Sequence, residues 1–498
     1  MPPNGAAANP ESPTVPHVAD VPITTALGPV KFFEKLAYGF GEVGEAVKTA
    51  ALETFLFFYY IQVIGLSGSL AGLGLMLALM VDGISDPLIG HWSDRLRSKL
   101  GRRHPFLYAA PIPLAIAIVM LFSPPDGLGQ WGLFAWLTGF AIVSRVAMAL
   151  YFVPHMALGA DLSNNYDERI EIGGYRTGFS FAGRLLALGG AFSIFFAASP
   201  AFPRGQLNPD AYTPFAIFCA VAVVIAVFLS ALGTQSRARR IVIPPEAPGA
   251  ATSLLAIFWR AMGLVSFRTM FLSLLLFYIF NGTQAALQLH MMTFYWELTP
   301  FETQMVFYAL TIGFIVGVFF VRPIAAKLDK KAAYITGVIL SCSMVCMPVL
   351  LRLAGIFPEN GSPLLVPLMI TFNIIYGICG SVPVTLSSAM LADVADDYDL
   401  RHGARSEGMF FGAVAFSRKA STGMGGAIAG ILLDLIAFPQ NAVVGQVAAS
   451  TLTHLAILFG PVLLVILCSG CLILAPYDLT RRRHGEILAA LRERKGEV

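Results

Sequence analysis

Residues 70–105 read LAGLGLMLALMVDGISDPLIGHWSDRLRSKLGRRHP. Three features of this stretch decide the fold. From Leu70 to Trp92 the chain is apolar and long enough to cross a hydrocarbon core, which takes about 20 helical residues. Two carboxylates, Asp82 and Asp86, interrupt the apolar run one helical turn apart, and Pro87 follows them. Directly after it come Arg95, Arg97, Lys99, Arg102 and Arg103, the basic excess that marks a cytoplasmic link between two spans.

The rest of the 498 residues repeats this pattern. The hydrophobic fraction is 56% and the charged fraction 13%, against about 25% charge in soluble domains. That balance excludes a disordered chain, a secreted disulfide scaffold and an ordinary soluble enzyme. A net charge of +3 without a basic stripe gives no footing for nucleic acid. The six cysteines all fall inside apolar runs and read as small packing residues. Residues 1–31 are Pro-, Ala- and Asn-rich with no basic residue before Lys31, so they read as a disordered cytoplasmic tail and not as a signal peptide.

Apolar segments follow near 38–64, 69–92, 104–123, 131–159, 173–198, 212–233, 268–296, 302–325, 332–353, 363–391, 407–435 and 455–475, twelve in all. Basic residues crowd alternate links, with Arg237, Arg239 and Arg240 after the sixth span, Lys327, Lys330 and Lys331 after the eighth, and Arg481, Arg482 and Arg483 after the last. Both termini are therefore expected in the cytoplasm. The longest link, 235–266, carries Pro244, Pro245 and Pro248 and separates an N-terminal half, 32–234, from a C-terminal half, 267–475. Residues 476–498 form a basic cytoplasmic tail, with a short basic helix near 484–495 solvated against an anionic leaflet. Asp329-Lys330-Lys331 after span eight echoes Asp94-Arg95 after span two, an internal repeat. The expected fold is an all-α membrane protein, twelve transmembrane helices in two pseudo-symmetric six-helix halves with a mid-membrane site between them, the architecture of major facilitator transporters.

Charges inside spans are costly, about 2.5–3.5 kcal/mol each at mid-membrane, so they point to function. Asp82 and Asp86 share one helix face, and close carboxylates in low dielectric either share a proton or hold a cation. Lys419, deep in span eleven, needs a counter-ion, and this pair is the obvious one. Glu42, Glu45, Lys48, Thr49 and Glu53 fall within a sector of roughly 140° on span one. A polar stripe that wide faces protein or a watery cavity, with Lys48 and Glu53 expected deepest. Arg145, Arg176 and Arg184 add cationic groups to spans four and five, and Asn281, Gln284 and Gln288 in span seven with Asn373 and Tyr376 in span ten suit a polar ligand or bonds between helices. His155 and His290 read as packing residues. The acidic run containing Asp393 and Asp396, with Arg405 and Glu407 beyond it, reads as a gating latch against Asp94, Arg95 and Arg102 in the link after span two.

Four stretches carry a resemblance over about residues 32–475. They are Tyr38-Gly39-Phe40-Gly41-Glu42; Asp82 to Pro105 as quoted; Pro154 through Ser163 leading to Tyr175-Arg176; and Ala392-Asp393 through Tyr398, then Arg405 to Gly408 and Lys419. Together they resemble the glycoside–pentoside–hexuronide:cation symporters, the melibiose-permease branch of the major facilitators. The resemblance implies that Asp82 and Asp86 bind the coupling cation and that Arg176 and Lys419 are basic site residues. It also places Ala46 and Phe152 where that family has acidic sugar ligands, Met156 at an aromatic platform and Ala149 at a polar cation-site neighbour. The site is thereby more apolar and its Na⁺ coordination thinner, so H⁺ stands beside Na⁺ as the coupling ion. Glu53 is a candidate to replace the lost carboxylate. Phe152 and Met156 also fit the greasy cavity of lysophosphatidylcholine symporters.

Cation-coupled symport of a sugar or glycoside by alternating access is the leading expectation. A lysophospholipid or other amphipathic solute is the alternative, and a non-transporting sensor is weaker still. No HExxH, GxSxG or phosphate-cradling motif points to an enzyme, and no cofactor beyond the coupling ion is expected. The chain is expected to act as a monomer in a lipid bilayer, its Arg and Ala/Gly bias suggesting a bacterial inner membrane.

Overall fold

A computed structural model describes residues 28–163, 165–240, 254–403 and 407–495. Every regular element among these residues is helical. Ten helices are long and apolar enough to span: α2 Gly68–Arg95, α3 His104–Leu121, α4 Gln130–Asp161, α5 Tyr166–Phe195, α6 Pro209–Ala238, α7 Val265–Tyr295, α8 Pro300–Lys327, α9 Lys330–Leu353, α10 Leu365–His402 and α12 Ala449–Leu474. Two more match them in length but not in apolarity, α1 (32–63) and α11 (Glu407–Leu435). These two carry charges within their length, Glu42, Glu45 and Lys48 in α1 and Arg418 and Lys419 in α11. Helices that bear charge at mid-membrane must turn it toward protein or water.

The packing repeats in both halves. In the first, α1 packs on α5 and α6, α2 on α4, and α3 on α4 and α6. In the second, α7 packs on α11 and α12, α8 on α10, and α9 on α10 and α12. The first span of each half also ends in a wide π-helical turn, Tyr59–Val63 in α1 and Met291–Tyr295 in α7. The halves meet along two symmetry-equivalent seams, α2 against α11 and α8 against α5.

Small residues build the α2/α11 seam. A β-carbon on Gly72 would lie 2.6 Å from the Gly426 carbonyl oxygen, and one on Gly68 would lie 2.6 Å from that of Gly430. Without a hydrophobic drive between helices in lipid, such close backbone approach supplies the dispersion that holds the seam. Gly72→Leu is therefore expected to cost about 1–3 kcal/mol of overpacking, seen as a lowered melting midpoint of the purified protein. Gly139→Leu, where an added β-carbon meets open space, should melt as the native chain does. Equal midpoints for the two variants would refute the seam.

Three expectations shift. Helix α5 starts at Tyr166 and not near 173, because the Asn165 side chain accepts hydrogen bonds from the Asp167 and Glu168 amides and caps it. Helix α10 continues through the acidic run to His402, where Gly403 in the left-handed region (φ 68°) ends it. The tail also departs from a solvated helix. Residues Arg481–Lys495 are helical and dock on the end of α10, burying Ile487 and Leu491 and pairing Arg494 with Asp399 at 2.8 Å. Of the expected tails and linker, residues 1–27, 241–253 and 496–498 lie outside the described residues.

Candidate functional site

Helices α2, α4 and α11 bring four charges together. The Lys419 ammonium lies between the two carboxylates of α2, 2.9 Å from Asp82 and in direct contact with Asp86. The Arg145 guanidinium of α4 stands 3.6 Å from the same Asp82 oxygen. Two cations and two anions leave the cluster neutral, the condition under which charge tolerates mid-membrane depth. The two carboxylates are not equivalent. Asp82 is 8% exposed and faces both cations, whereas Asp86 is 29% exposed and faces Lys419 alone. The expected pairing of Lys419 with this pair is thus present. The part of Arg145 went unread at the sequence level, although a lone guanidinium inside a span already called for a carboxylate.

A cavity of about 260 Å³ opens at the α5/α8 seam between the halves. Glu45, Ala46 and Thr49 of α1, Arg184 of α5, and Thr311 and Phe314 of α8 line it. The Thr49 hydroxyl donates to Glu45 at 2.7 Å. Arg184 makes no hydrogen bond or ion pair among the described residues and is half-buried. The wall therefore offers a carboxylate that accepts, a guanidinium that donates and a phenyl face, a set suited to a polyhydroxyl solute. Ala46 lies here, at the position where the resemblance expects an acid, and Glu45 supplies the carboxylate beside it. The candidate replacement, Glu53, is exposed, does not line the cavity, and begins the wide turn Leu52–Leu56 that changes the helical register beyond Thr49.

Other expected site residues are distributed around this pair of features. Lys48 is buried on α1. Arg176 reaches Met156 across α4 and α5, with Nη1 on the sulfur. Phe152 is partly buried against the core. Tyr376 is buried with its ring 6.3 Å from that of Phe314, one layer behind the cavity wall. Asn281 donates to the Phe277 carbonyl of its own helix at 2.7 Å, and Gln284 bonds Gln288 at 2.5 Å. Each of these contacts stays within α7. His155 is buried and bonded to the Tyr38 carbonyl oxygen at 3.0 Å, stacked on the Tyr38 ring. His290 is buried among Phe57, Phe58, Phe294 and Phe438.

The gating latch pairs differently from its expectation. Asp94 faces Arg102 at 4.0 Å and Arg103 at 3.5 Å, and Asp161 at the end of α4 holds both arginines at 2.7 and 3.0 Å. Asp393 takes Lys330 at 2.6 Å, and Asp396 takes His484 at 3.1 Å. Each half thus ties the link after its second span to the end of its fourth, so the sequence echo marks two equivalent locks and not one latch between halves. Arg95 contacts His91 at 2.6 Å. Arg405 lies outside the described residues, as does the side chain of Glu407 at the start of α11.

On the face opposite the basic links the halves are pinned together. Asp434 of α11 accepts from the Gly68 and Ser69 amides that open α2 at 2.9 and 2.8 Å, favoured by the helix N-terminus. Gln62 bonds Pro439 and Ala442 at 3.3 and 3.1 Å, Ser193 bonds Gln304 at 2.7 Å, and Gln206 bonds Thr293 at 3.0 Å. The protein is closed on that face.

Comparison with known proteins agrees with the fold. Residues 37–481 match the family described as MFS/sugar transport protein. The chain is 25% identical to the isoprimeverose transporter of Lactiplantibacillus pentosus, over 83% of this chain and 82% of that one. It is 23% identical to a glucuronide carrier protein homolog of Escherichia coli, over 92% and 95% of the two chains. In structure it is similar to the inward-open xylose transporter XylE from E. coli, with a TM-score of 0.61 at 13% identity over 91% of this chain and 98% of that one.

Proposed function

Because the chain belongs to the MFS/sugar transport protein family, in its glycoside–pentoside–hexuronide branch, we propose that it is a symporter that carries a sugar or glycoside by alternating access. It is an integral, multi-pass membrane transporter. The observation that carries the reading is the neutral Asp82, Asp86, Lys419 and Arg145 cluster on one seam, with a polar cavity on the other. The printed names of its relatives support a small sugar or glycoside as the cargo. The cavity supports the same choice over a lysophospholipid, because Glu45, Thr49 and Arg184 suit hydroxyl groups.

We assign the coupling ion as H⁺. Two resident cations already occupy the carboxylate pair, so Na⁺ would have to displace an ammonium or a guanidinium. A proton needs only to settle on Asp86, the more exposed carboxylate with a single partner, and release Lys419. Because Asp86 and Lys419 sit on opposite halves, that exchange loosens the α2/α11 seam and couples protonation to rocking. The basic face is assigned to the cytoplasm of a bacterial cell. The halves, 32–234 and 267–475, move about the site, and the protein works as a monomer.

Reconstituted into liposomes, the protein should take up one member of a labelled panel of pentosides, hexosides and uronides under an inward pH gradient. An inward Na⁺ gradient at constant pH should not drive it. Arg184→Ala should raise the half-saturating concentration roughly ten- to hundredfold through loss of a charged hydrogen bond. Uptake of lysolipid alone would overturn the sugar assignment, and uptake driven only by Na⁺ would overturn the ion.

A further inference from the structure

A second constellation lies on the basic face, apart from the inter-half cavity. The link between α2 and α3 folds back against the ends of α4 and α6 and encloses a pocket of about 480 Å³. Gly101, at a φ of 92° that side chains rarely adopt, makes the bend, and the Ser98 hydroxyl donates to its carbonyl oxygen at 2.6 Å. Arg97, Lys99, Arg102, Arg103 and Arg239 line the pocket. Asp161 in its wall and Asp94 beside it are the carboxylates that engage Arg102 and Arg103. Five cations against two anions leave an excess of positive charge in a concave site.

The second observation is inside the pocket. Arg103 is 6% exposed, and only its Nη2 is used, at 3.0 Å from Asp161 and 3.5 Å from Asp94. Its Nε and Nη1 are buried without a partner among the described residues. Burial presses the guanidinium pKa down from its usual value, as expected for a cation short of anions. Two buried guanidinium N–H groups without an acceptor are costly to leave bare, and an anionic oxygen is the acceptor that a cation of this kind calls for.

We propose that this pocket binds a phosphate-bearing anion. Resting on the assignment of the basic face to the cytoplasmic leaflet, the source is an anionic phospholipid headgroup. The pocket lies at the end of α2, next to exposed Trp92, a residue type that settles at the headgroup level. Arg97, Lys99 and Arg239 are exposed and meet the headgroup from outside, while Arg103 adds its positive charge from the buried wall behind them. Occupancy would brace the lock formed by Asp94, Arg102, Arg103 and Asp161, and so make the N-terminal half sensitive to leaflet charge.

The test is a thermal melt of the purified full chain in detergent without substrate, which does not depend on whether the chain carries sugar. Phosphatidylglycerol should raise the midpoint by about 3 °C over phosphatidylcholine at equal load, and the increment should fall with added salt. The combined variant Arg97→Ala, Lys99→Ala, Arg239→Ala changes only exposed side chains and should lose at least half of it. Inorganic phosphate or glycerol 3-phosphate giving the full increment without lipid would support the anion site and move its source to the cytosol. No increment with any of these anions, or a full increment in the triple variant, would overturn the proposal.

Discussion

Asp86→Asn should abolish gradient-driven accumulation and leave energy-independent exchange intact. Asn keeps the shape of the side chain but can neither take up a proton nor hold the Lys419 ammonium as an ion pair. Lys419 retains Asp82 at 2.9 Å, so the seam stays assembled. A membrane potential of 100 mV supplies about 2.3 kcal/mol per charge moved, which supports roughly 50-fold accumulation. In the variant the ratio of internal to external substrate should fall to about one, while counterflow between loaded and external label continues. The measurement is paired uptake and counterflow in the same liposomes. Concentrative uptake that survives in Asp86→Asn would remove Asp86 from the coupling step. Asp82→Asn is the less informative change, because it also strands Arg145.

Lys419→Met has the second large effect, on the protein itself. It leaves Asp82 and Asp86 facing each other with Arg145 as the one remaining ion-pair partner among the described residues, 3.6 Å from Asp82. Breaking a buried pair by removing one partner costs about 3–5 kcal/mol, and the lower end applies here because Lys419 is 23% exposed. The melting midpoint should fall accordingly. Adding Asp86→Asn to Lys419→Met restores neutrality and should recover most of the loss, while accumulation stays absent. Non-additivity in this cycle is the signature of direct contact. Strictly additive midpoints would mean that the contact carries no energy.

Much of this molecule is legible from one dimension. Membrane helices obey length and hydropathy, because unsatisfied backbone is intolerable in lipid and only a full helix resolves it. Twelve spans, two halves and the importance of Asp82, Asp86 and Lys419 follow from apolar runs and from charges placed where charge is costly. Helix ends shift for local reasons, the Asn165 cap and Gly403, whereas the site residues part from expectation because of partners far along the chain. Glu45 rather than Glu53 lines the cavity because α5 and α8 close around the middle of α1, before its wide turns. The acidic residues of α10 meet Lys330 and the tail helix because these partners pack within the same half.

The sequence by itself determined the fold class, the alternation of basic links and the residues whose burial demands a counter-charge, since each follows from the local cost of placing a group in hydrocarbon. Only the tertiary structure decided which counter-charge each one meets. Arg145 reaches Asp82, Arg184 turns into the cavity and Arg103 is buried in the wall of a basic pocket with two N–H groups unmet because helices distant in sequence pack side by side. Hydropathy is a property of each segment, whereas the approach of two helices depends on small residues on both, such as Gly72 against Gly426, and that complementarity exists only once the halves have met.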